Sequence, residues 1–234
     1  MKPLAIFRHA PGEGPGYLTE VLTRRAIPFT VIHVDRGEPL PAHPDAYAGL
    51  VFMGGPMSAN DDLPWIPQTL GLIREAHAAG QAILGHCLGG QLISKALGGR
   101  VTRNPVREVG WGPIEALDNA SARDWLSGLP RVFDVFHWHG ETFSVPEGAS
   151  HILKGPFCPH QGFAIGRTLA LQCHIEMTSA MIAQWLASPE GRSLQAAPSV
   201  QTAPAIRERL DQRLATLHVH ADRLYARWLE GACA

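Results

Sequence analysis

The sequence predicts a three-layer α/β/α domain built on a mostly parallel central sheet, with a helical tail. Three observations predict it. Short apolar strand signals alternate with amphipathic helix signals from residue 4 to residue 99. A strand-rich stretch follows, and the C-terminal part carries a single apolar stripe at helical spacing. Repeated β-α-β-α order implies parallel strands covered by helices on both faces.

Taken in order, residues 4–8 (LAIFR) read as a short buried strand, and 12–16 (GEGPG) as a turn. Residues 17–26 place Leu18, Val21 and Leu22 on one helical face. Residues 29–34 (FTVIHV) form a β-branched strand. Residues 49–53 (GLVFM) form another, ended by Gly54-Gly55-Pro56. Residues 65–79 are helical, with Ile66, Leu70, Ile73 and Ala76 or His77 on one face and Gly80 as the stop. A strand at 81–84 and a helix at 88–97 follow, the latter stopped by Gly98-Gly99.

From Arg100 to Ala170 strand signals dominate, at 114–117, 132–136, 151–154, 162–165 and 168–172. They are expected as antiparallel additions to the sheet or as a small subsheet. Residues 178–187 are helical. Beyond Ser188-Pro189, the residues Ile206, Leu210, Leu214, Leu217, Ala221, Leu224 and Trp228 lie three or four apart. That is one stripe on a long helix closed by Gly231. Its expected role is to pack back on the domain; a dimer or partner surface is the other reading. Residues 1–190 are thus expected as the main domain and 191–234 as a helical extension.

Composition narrows the function classes. The chain has 234 residues, 20 Lys+Arg against 21 Asp+Glu, and 45 % apolar residues. A near-neutral balance without charge runs argues against general nucleic-acid binding. Four cysteines are too few for a disulfide scaffold. No apolar run approaches the roughly 20 residues of a membrane span, and the N-terminus lacks a signal-peptide pattern. A cytoplasmic protein with reduced thiols is expected.

The chemistry concentrates at Ile83-Leu84-Gly85-His86-Cys87-Leu88-Gly89-Gly90-Gln91. An apolar strand runs into Gly85, Cys87 and Gly89, then a helix. A nucleophile on such a turn needs small neighbours two residues away on either side, because the backbone passes close to itself. The turn puts Cys87 at a helix N-terminus, where free N–H groups favour a thiolate, and it aims the Leu88 N–H at an oxyanion. His174 and Glu176, two apart in extended chain, share a face, so the carboxylate can orient the imidazole as base. Met53-Gly54-Gly55-Pro56 offers Gly55 as a second oxyanion donor or is a plain turn.

Gly-x-Cys-x-Gly-x-Gln, a later His-x-Glu and an earlier Gly-Gly-Pro-x-Ser, in this order, resemble class I (triad-type) glutamine amidotransferases, over roughly residues 1–190. Phe136-His137-Trp138-His139-Gly140-Glu141-Thr142-Phe143 adds a likeness to stand-alone proteins similar to the amidotransferase domain of GMP synthase. The resemblance implies a flavodoxin-like class I amidotransferase fold. It implies that Cys87 attacks the side-chain amide of glutamine to form a γ-glutamyl thioester, with His174 as proton shuttle and Glu176 as its orienter. Gly55 and Leu88 would form the oxyanion hole. Gly54, Gln91, Trp138 and the His139-Gly140-Glu141 loop would hold the substrate. No metal or organic cofactor is implied.

The family's His-Pro-Glu stands here as His174-Ile175-Glu176, and Trp138 and Glu141 depart from the usual small polar residue and Asp. The tail reads as one or two helices rather than a synthase. Either a separate ammonia-accepting synthase subunit is the partner, or the enzyme is a γ-glutamyl peptidase acting on γ-glutamyl peptides or amides. Gly12–Gly16 with Asp35 gives a distant alternative, a nucleotide-binding module, but Tyr17 sits where the fingerprint needs glycine. His86 is expected to point away from the catalytic side. Cys158 and Cys173 are expected as buried packing residues and Cys233 as a disordered terminal one. Trp65, Trp111, Trp125 and Trp185 are expected to pack.

Overall fold

The computed structural model describes residues 2–232; Cys233 lies outside them. Its first half runs β1 (Leu4–Arg8), α1 (Tyr17–Arg24), β2 (Phe29–His33), β3 (Gly49–Phe52), α2 (Trp65–Ala78), β4 (Ala82–His86) and α3 (Leu88–Ala96). A long hairpin follows, β5 (Val101–Ala116) and β6 (Val132–Phe143), with α4 (Ala120–Trp125) in its connection. Then come β7 (Ser150–Lys154), β8 (Gly162–Ile165), β9 (Thr168–Leu171), α5 (Ser179–Ala187), α6 (Pro189–Arg192), α7 (Ala203–Arg207) and α8 (Leu210–Ala232).

The nine strands form one sheet in the order β2-β1-β3-β4-β9-β8-β7-β5-β6. Pairing is parallel from β2 to β9 and antiparallel from β9 to β6. The sheet is therefore mixed, not mostly parallel. The cause lies in the connections. The parallel half is joined by long crossovers, whereas β8 and β9 join through the tight turn at Gly166-Arg167, which only antiparallel strands allow. The middle strands join the main sheet; they form no separate subsheet. Two of them reach further than the local signals at 114–117 and 132–136, because β5 and β6 pair with each other from Val101↔Phe143 to Glu115↔Val132.

Strand alternation splits the core into two layers. Leu4, Ile6, Val51 and Leu84 face the side covered by α1, α5 and α8. Ala5, Phe7, Leu50, Phe52 and Ile83 face the side covered by α2 and α3. The C-terminal stripe lies in the first layer: Leu214, Leu217, Ala221, Leu224 and Trp228 of α8 are buried there. It is not one helix. Arg209, at φ 52, separates α8 from α7, which carries Ile206. Gly231 does not stop α8, which continues to Ala232. No helix among the described residues is long and apolar enough to cross a membrane.

The β4–α3 junction is a close approach of backbone to backbone. A β-carbon on Gly89 would overlap the carbonyl of Phe52 on the neighbouring strand. Gly71, inside α2, has nothing within 4 Å of the same position. Gly89→Ala is expected to lower the unfolding free energy by about 2 kcal/mol or more through overpacking. Gly71→Ala is expected to raise it by roughly 0.5–1 kcal/mol through reduced chain entropy. Urea denaturation of both variants checks the pair.

Candidate active site

Cys87 stands between β4 and α3 at φ 49, ψ −109, in the positive-φ region that side chains avoid. Its N–H donates to the Leu171 carbonyl at 2.8 Å, which pins the turn to the end of β9. Glycine on either side is a steric need: a β-carbon on Gly85 would lie 2.5 Å from the Gly89 carbonyl carbon. The expected strand-to-helix turn is thus present, with Leu88 as the first residue of α3, where an N–H has no intrahelical acceptor. The Gln172 amide donates to the Cys87 sulfur at 3.6 Å.

His174 and Glu176 do meet, but not on a strand. β9 ends at Leu171, and the segment beyond it is held by a bridge in which His174 and Phe136 exchange backbone hydrogen bonds of 2.8 and 3.3 Å. His174 Nδ1 lies 2.6 Å from Glu176 Oε1, and both side chains are buried. Burial opposes both charges, yet the pair overrides it. Burial lowers the His174 pKa, but the Glu176 carboxylate and the Cys87 side chain hold it well above its ordinary value. Burial raises the Glu176 pKa, but the charge and hydrogen bond of His174, with the nearby His86 ring, bring it down to about 2. Two opposite charges in a low-dielectric pocket each favour the other's ionised form. His174 Nε2 is buried and engaged by no side chain or backbone group of the described residues.

The segment after β3 forms the next wall. Gly55 lines the cleft beside Cys87, and a β-carbon on it would meet Leu88 Cδ2 at 2.7 Å, so the two expected oxyanion donors lie on touching segments. His9 braces this segment from below, its Nδ1 2.9 Å from the Met53 carbonyl and its ring stacked on Trp65. Burial pushes the His9 pKa down to about 4, so the ring is neutral and Nδ1–H donates. Gly54 is buried and does not line the cleft. A β-carbon there would lie 2.5 Å from Glu13 Oε2 and 3.3 Å from His174 Cε1.

These groups open on one cleft of about 690 Å³. Gln91, Trp138, His139, Gly140 and Glu141 line it with Cys87 and His174. The expected substrate loop at 139–141 is instead part of β6, opposite a register shift between Arg103 and Glu108. His139 is also not free to hold a ligand. Its Nδ1 faces the Glu141 carbonyl and its Nε2 faces Glu108 Oε2, both at 2.9 Å. Gln91 Nε2 donates to Gln172 Oε1 at 3.2 Å. Glu108, His137 and His139 bring donor atoms within 4.8 Å of one another, but the Gln161 amide fills that centre, 2.7 Å from Glu108 and 3.5 Å from His137.

Sequence reasoning missed several cleft residues, among them Glu13, Trp185, Arg107 and Glu190. Glu13 sits in the turn read as 12–16, its carboxylate facing His174; burial pushes its pKa up to about 7. Trp185, expected only to pack, places its ring edge-on to His174 with 5.0 Å between centroids and anchors its indole N–H to the Gly12 carbonyl at 2.8 Å. Arg107 and Glu190 form an ion pair at the cleft rim. Nothing local marks any of them; each is brought in by a distant element. Cys158 and Cys173 are buried, as expected. The nucleotide-module reading loses its supports: the Tyr17 N–H donates to the Glu176 carbonyl at 2.8 Å, and Asp35 pairs with Arg8 at 2.8 Å.

Comparison with known proteins agrees with this geometry. The family model described as glutamine amidotransferase class-I matches residues 17–186. A glutamine amidotransferase-like protein, YfeJ of Salmonella typhimurium, is 29 % identical over 73 % of this chain and 74 % of its own length. The glutamine-hydrolysing GMP synthase of Aeropyrum pernix is 34 % identical over 60 % of this chain, but the chain spans only 26 % of that protein. Among solved structures, a glutamine amidotransferase from Methylobacillus flagellatus is 44 % identical, with TM-score 0.94 over 99 % of this chain and 95 % of that one. Another, from Thermotoga maritima, has TM-score 0.86 at 25 % identity over 97 % of this chain and 98 % of that one. With the family model running from α1 to α5 and a relative superposing from end to end around the Cys87 turn, the chain belongs to the class-I glutamine amidotransferase family.

Proposed function

We propose that the protein hydrolyses the side-chain amide of glutamine to glutamate and ammonia through a thioester on Cys87. One observation carries the reading: a cysteine held at positive φ on a helix N-terminus shares a cleft with a buried His174–Glu176 pair 2.6 Å apart. In this reading the Cys87 sulfur attacks the amide carbon, and the C–N electrons leave with the nitrogen. His174 carries the thiol proton to that nitrogen, and ammonia departs. Water then adds to the thioester, giving up a proton to His174, and the C–S bond breaks to restore the thiol. Glu176 keeps the imidazole oriented and favours its charged form. The N–H groups of Gly55 and Leu88 receive the oxyanion. Gln91, Trp138, Gly140 and Glu141 contact the glutamyl part, and the ammonia passes to a separate acceptor enzyme.

A second reading, γ-glutamyl peptidase, is favoured by the cleft itself. At about 690 Å³ it extends past the catalytic groups to Arg107, Gln184, Ser188 and Glu190, leaving room for a leaving group larger than ammonia. Pockets of roughly 300–1,000 Å³ suit ligands well above the size of one amino acid. Purified protein assayed on glutamine and on γ-glutamyl dipeptides, with ammonia and glutamate read separately, decides between them. Ammonia from glutamine supports the amidotransferase reading, and turnover of dipeptides alone replaces it.

Cys87→Ala is expected to lower hydrolysis at least about a thousandfold while leaving the fold intact. Full activity in that variant would remove Cys87 from the mechanism. A glutamine-like electrophile is expected to label Cys87 ahead of Cys158 and Cys173, read by peptide mass spectrometry. Cys158 and Cys173 are both fully buried, and burial pushes their thiols up, to about 11 for Cys158 and well above its ordinary value for Cys173.

Glu13 gives a pH signature. Its carboxyl is neutral below about 7 and charged above it. Charged, it favours the imidazolium of His174 and hence the thiolate–imidazolium pair. The kcat/KM profile is therefore expected to rise with pH through about 7 in the native enzyme. In Glu13→Gln that limb is expected to vanish.

A further inference from the structure

His86 lies outside the cleft, as its strand position suggests, yet it does not lead away from the catalytic groups. It ends β4, is fully buried, and approaches Glu176 from behind. Glu176 Oε1 is taken by His174, while Oε2 is buried with no hydrogen-bond partner among the described residues. His86 Nε2 is 3.7 Å from that oxygen. The same Nε2 is 3.1 Å from the hydroxyl of Tyr225, which α8 buries completely. The two rings meet edge to face, 6.0 Å between centroids.

The charges select one tautomer. Burial lowers the His86 pKa, so the ring is neutral. A lone pair on Nε2 would face an anionic oxygen and be repelled, whereas an N–H there is attracted to it. His86 Nδ1 is buried with no partner. An orphaned lone pair at that site costs less than an orphaned N–H. Both arguments put the proton on Nε2, donated to the Tyr225 oxygen at 3.1 Å, with the same N–H facing Glu176 Oε2 at 3.7 Å as an electrostatic contact.

We propose that His86 and Tyr225 are positioning residues that fix the free oxygen of Glu176, so that the C-terminal helix α8 helps to orient the His174–Glu176 pair. The inference rests on reading Cys87, His174 and Glu176 as a hydrolytic triad. A carboxylate held at one oxygen alone can swing about its side-chain torsions. With the polarised His86 N–H 3.7 Å from the other oxygen, the orientation that presents Oε1 to His174 Nδ1 is favoured. Tyr225 fixes His86, His86 fixes Glu176, and Glu176 fixes His174. None of the first three touches substrate.

The test uses Tyr225→Phe, His86→Leu and His86→Gln in the full chain. Tyr225→Phe removes one hydroxyl and keeps the ring packing. His86→Gln restores an N–H close to the original one. Folding is followed by circular dichroism and urea denaturation. Kinetics on the substrate that the native enzyme turns over are expected to show KM within about twofold of native. The kcat of His86→Leu is expected to fall about tenfold, by analogy with the low end of the cost of losing the partner behind a metal-bound histidine. Tyr225→Phe falls less, and His86→Gln recovers most of the loss.

The readout independent of turnover is a nitrogen-15 NMR titration of His174. With Glu176 loosened, the imidazolium loses support, so His174 is expected to titrate at lower pH in His86→Leu and Tyr225→Phe. If either variant folds and leaves both kcat and the His174 titration native, the proposal is overturned. An inactive Cys87→Ala beside His86→Leu and Tyr225→Phe that keep native kcat and a native His174 titration sinks this inference alone. A fully active Cys87→Ala sinks the hydrolase reading, and the titration still decides whether His86 and Tyr225 hold the pair.

Discussion

The backbone of Cys87 is the constraint around which the structure is organised. A side chain at φ 49 costs about 1–3 kcal/mol and persists only where its surroundings leave no alternative. Three neighbours remove the alternatives. Leu171 of β9 takes the Cys87 N–H, Phe52 of β3 presses its carbonyl against Gly89, and Gly85 closes onto the first turn of α3. β3 and β9 are the strands on either side of β4. The sheet order is therefore part of the site. A strand made late in the chain must insert beside β4 before the turn is braced from both sides.

The second demand is electrostatic. A carboxylate and an imidazole at 1 % exposure are tolerable only as a pair, because isolated charges in such a place are expelled or neutralised. The fold meets this demand from several directions at once. The Phe136 bridge fixes the His174 backbone, Trp185 covers the ring edge, and the Glu176 carbonyl is capped by the Tyr17 N–H. The pair is thus tied to β6, α5 and α1, and its geometry is as stable as the packing of those elements.

Much of this was legible in the sequence because the signals are local. The β1–β4 strands are compact apolar runs ended by glycine or a turn. The Cys87 turn is written in its own flanking glycines, and His174 and Glu176 lie two residues apart. What was not legible depends on partners far along the chain. β5 alternates exposed and buried positions irregularly and contains Pro105, Gly110 and Gly112, so its pairing with β6 has no strong local mark. Glu13 reads as a turn residue until Gly54 and His174 are brought beside it. His86 reads as a strand end facing elsewhere, because its neighbour Tyr225 comes 139 residues later. The parallel sheet was overestimated for the same reason: helix-crossover signals are regular, whereas hairpins are specified by a few turn residues.

The wall formed by Trp138, His139, Gly140 and Glu141 has a consequence for how the cleft meets a ligand. These residues lie within a strand whose neighbour β5 bonds to it at 138, 139 and 141, and His139 is clamped at both ring nitrogens. The pairing with β5 and the two contacts of the His139 ring fix the position of this wall. Fit on this side is set in advance by the shapes of Trp138 and Glu141. Adaptation to ligands of different length falls to the exposed Arg107–Glu190 pair, whose Arg107 stem lies against Gly140 at the edge of this wall.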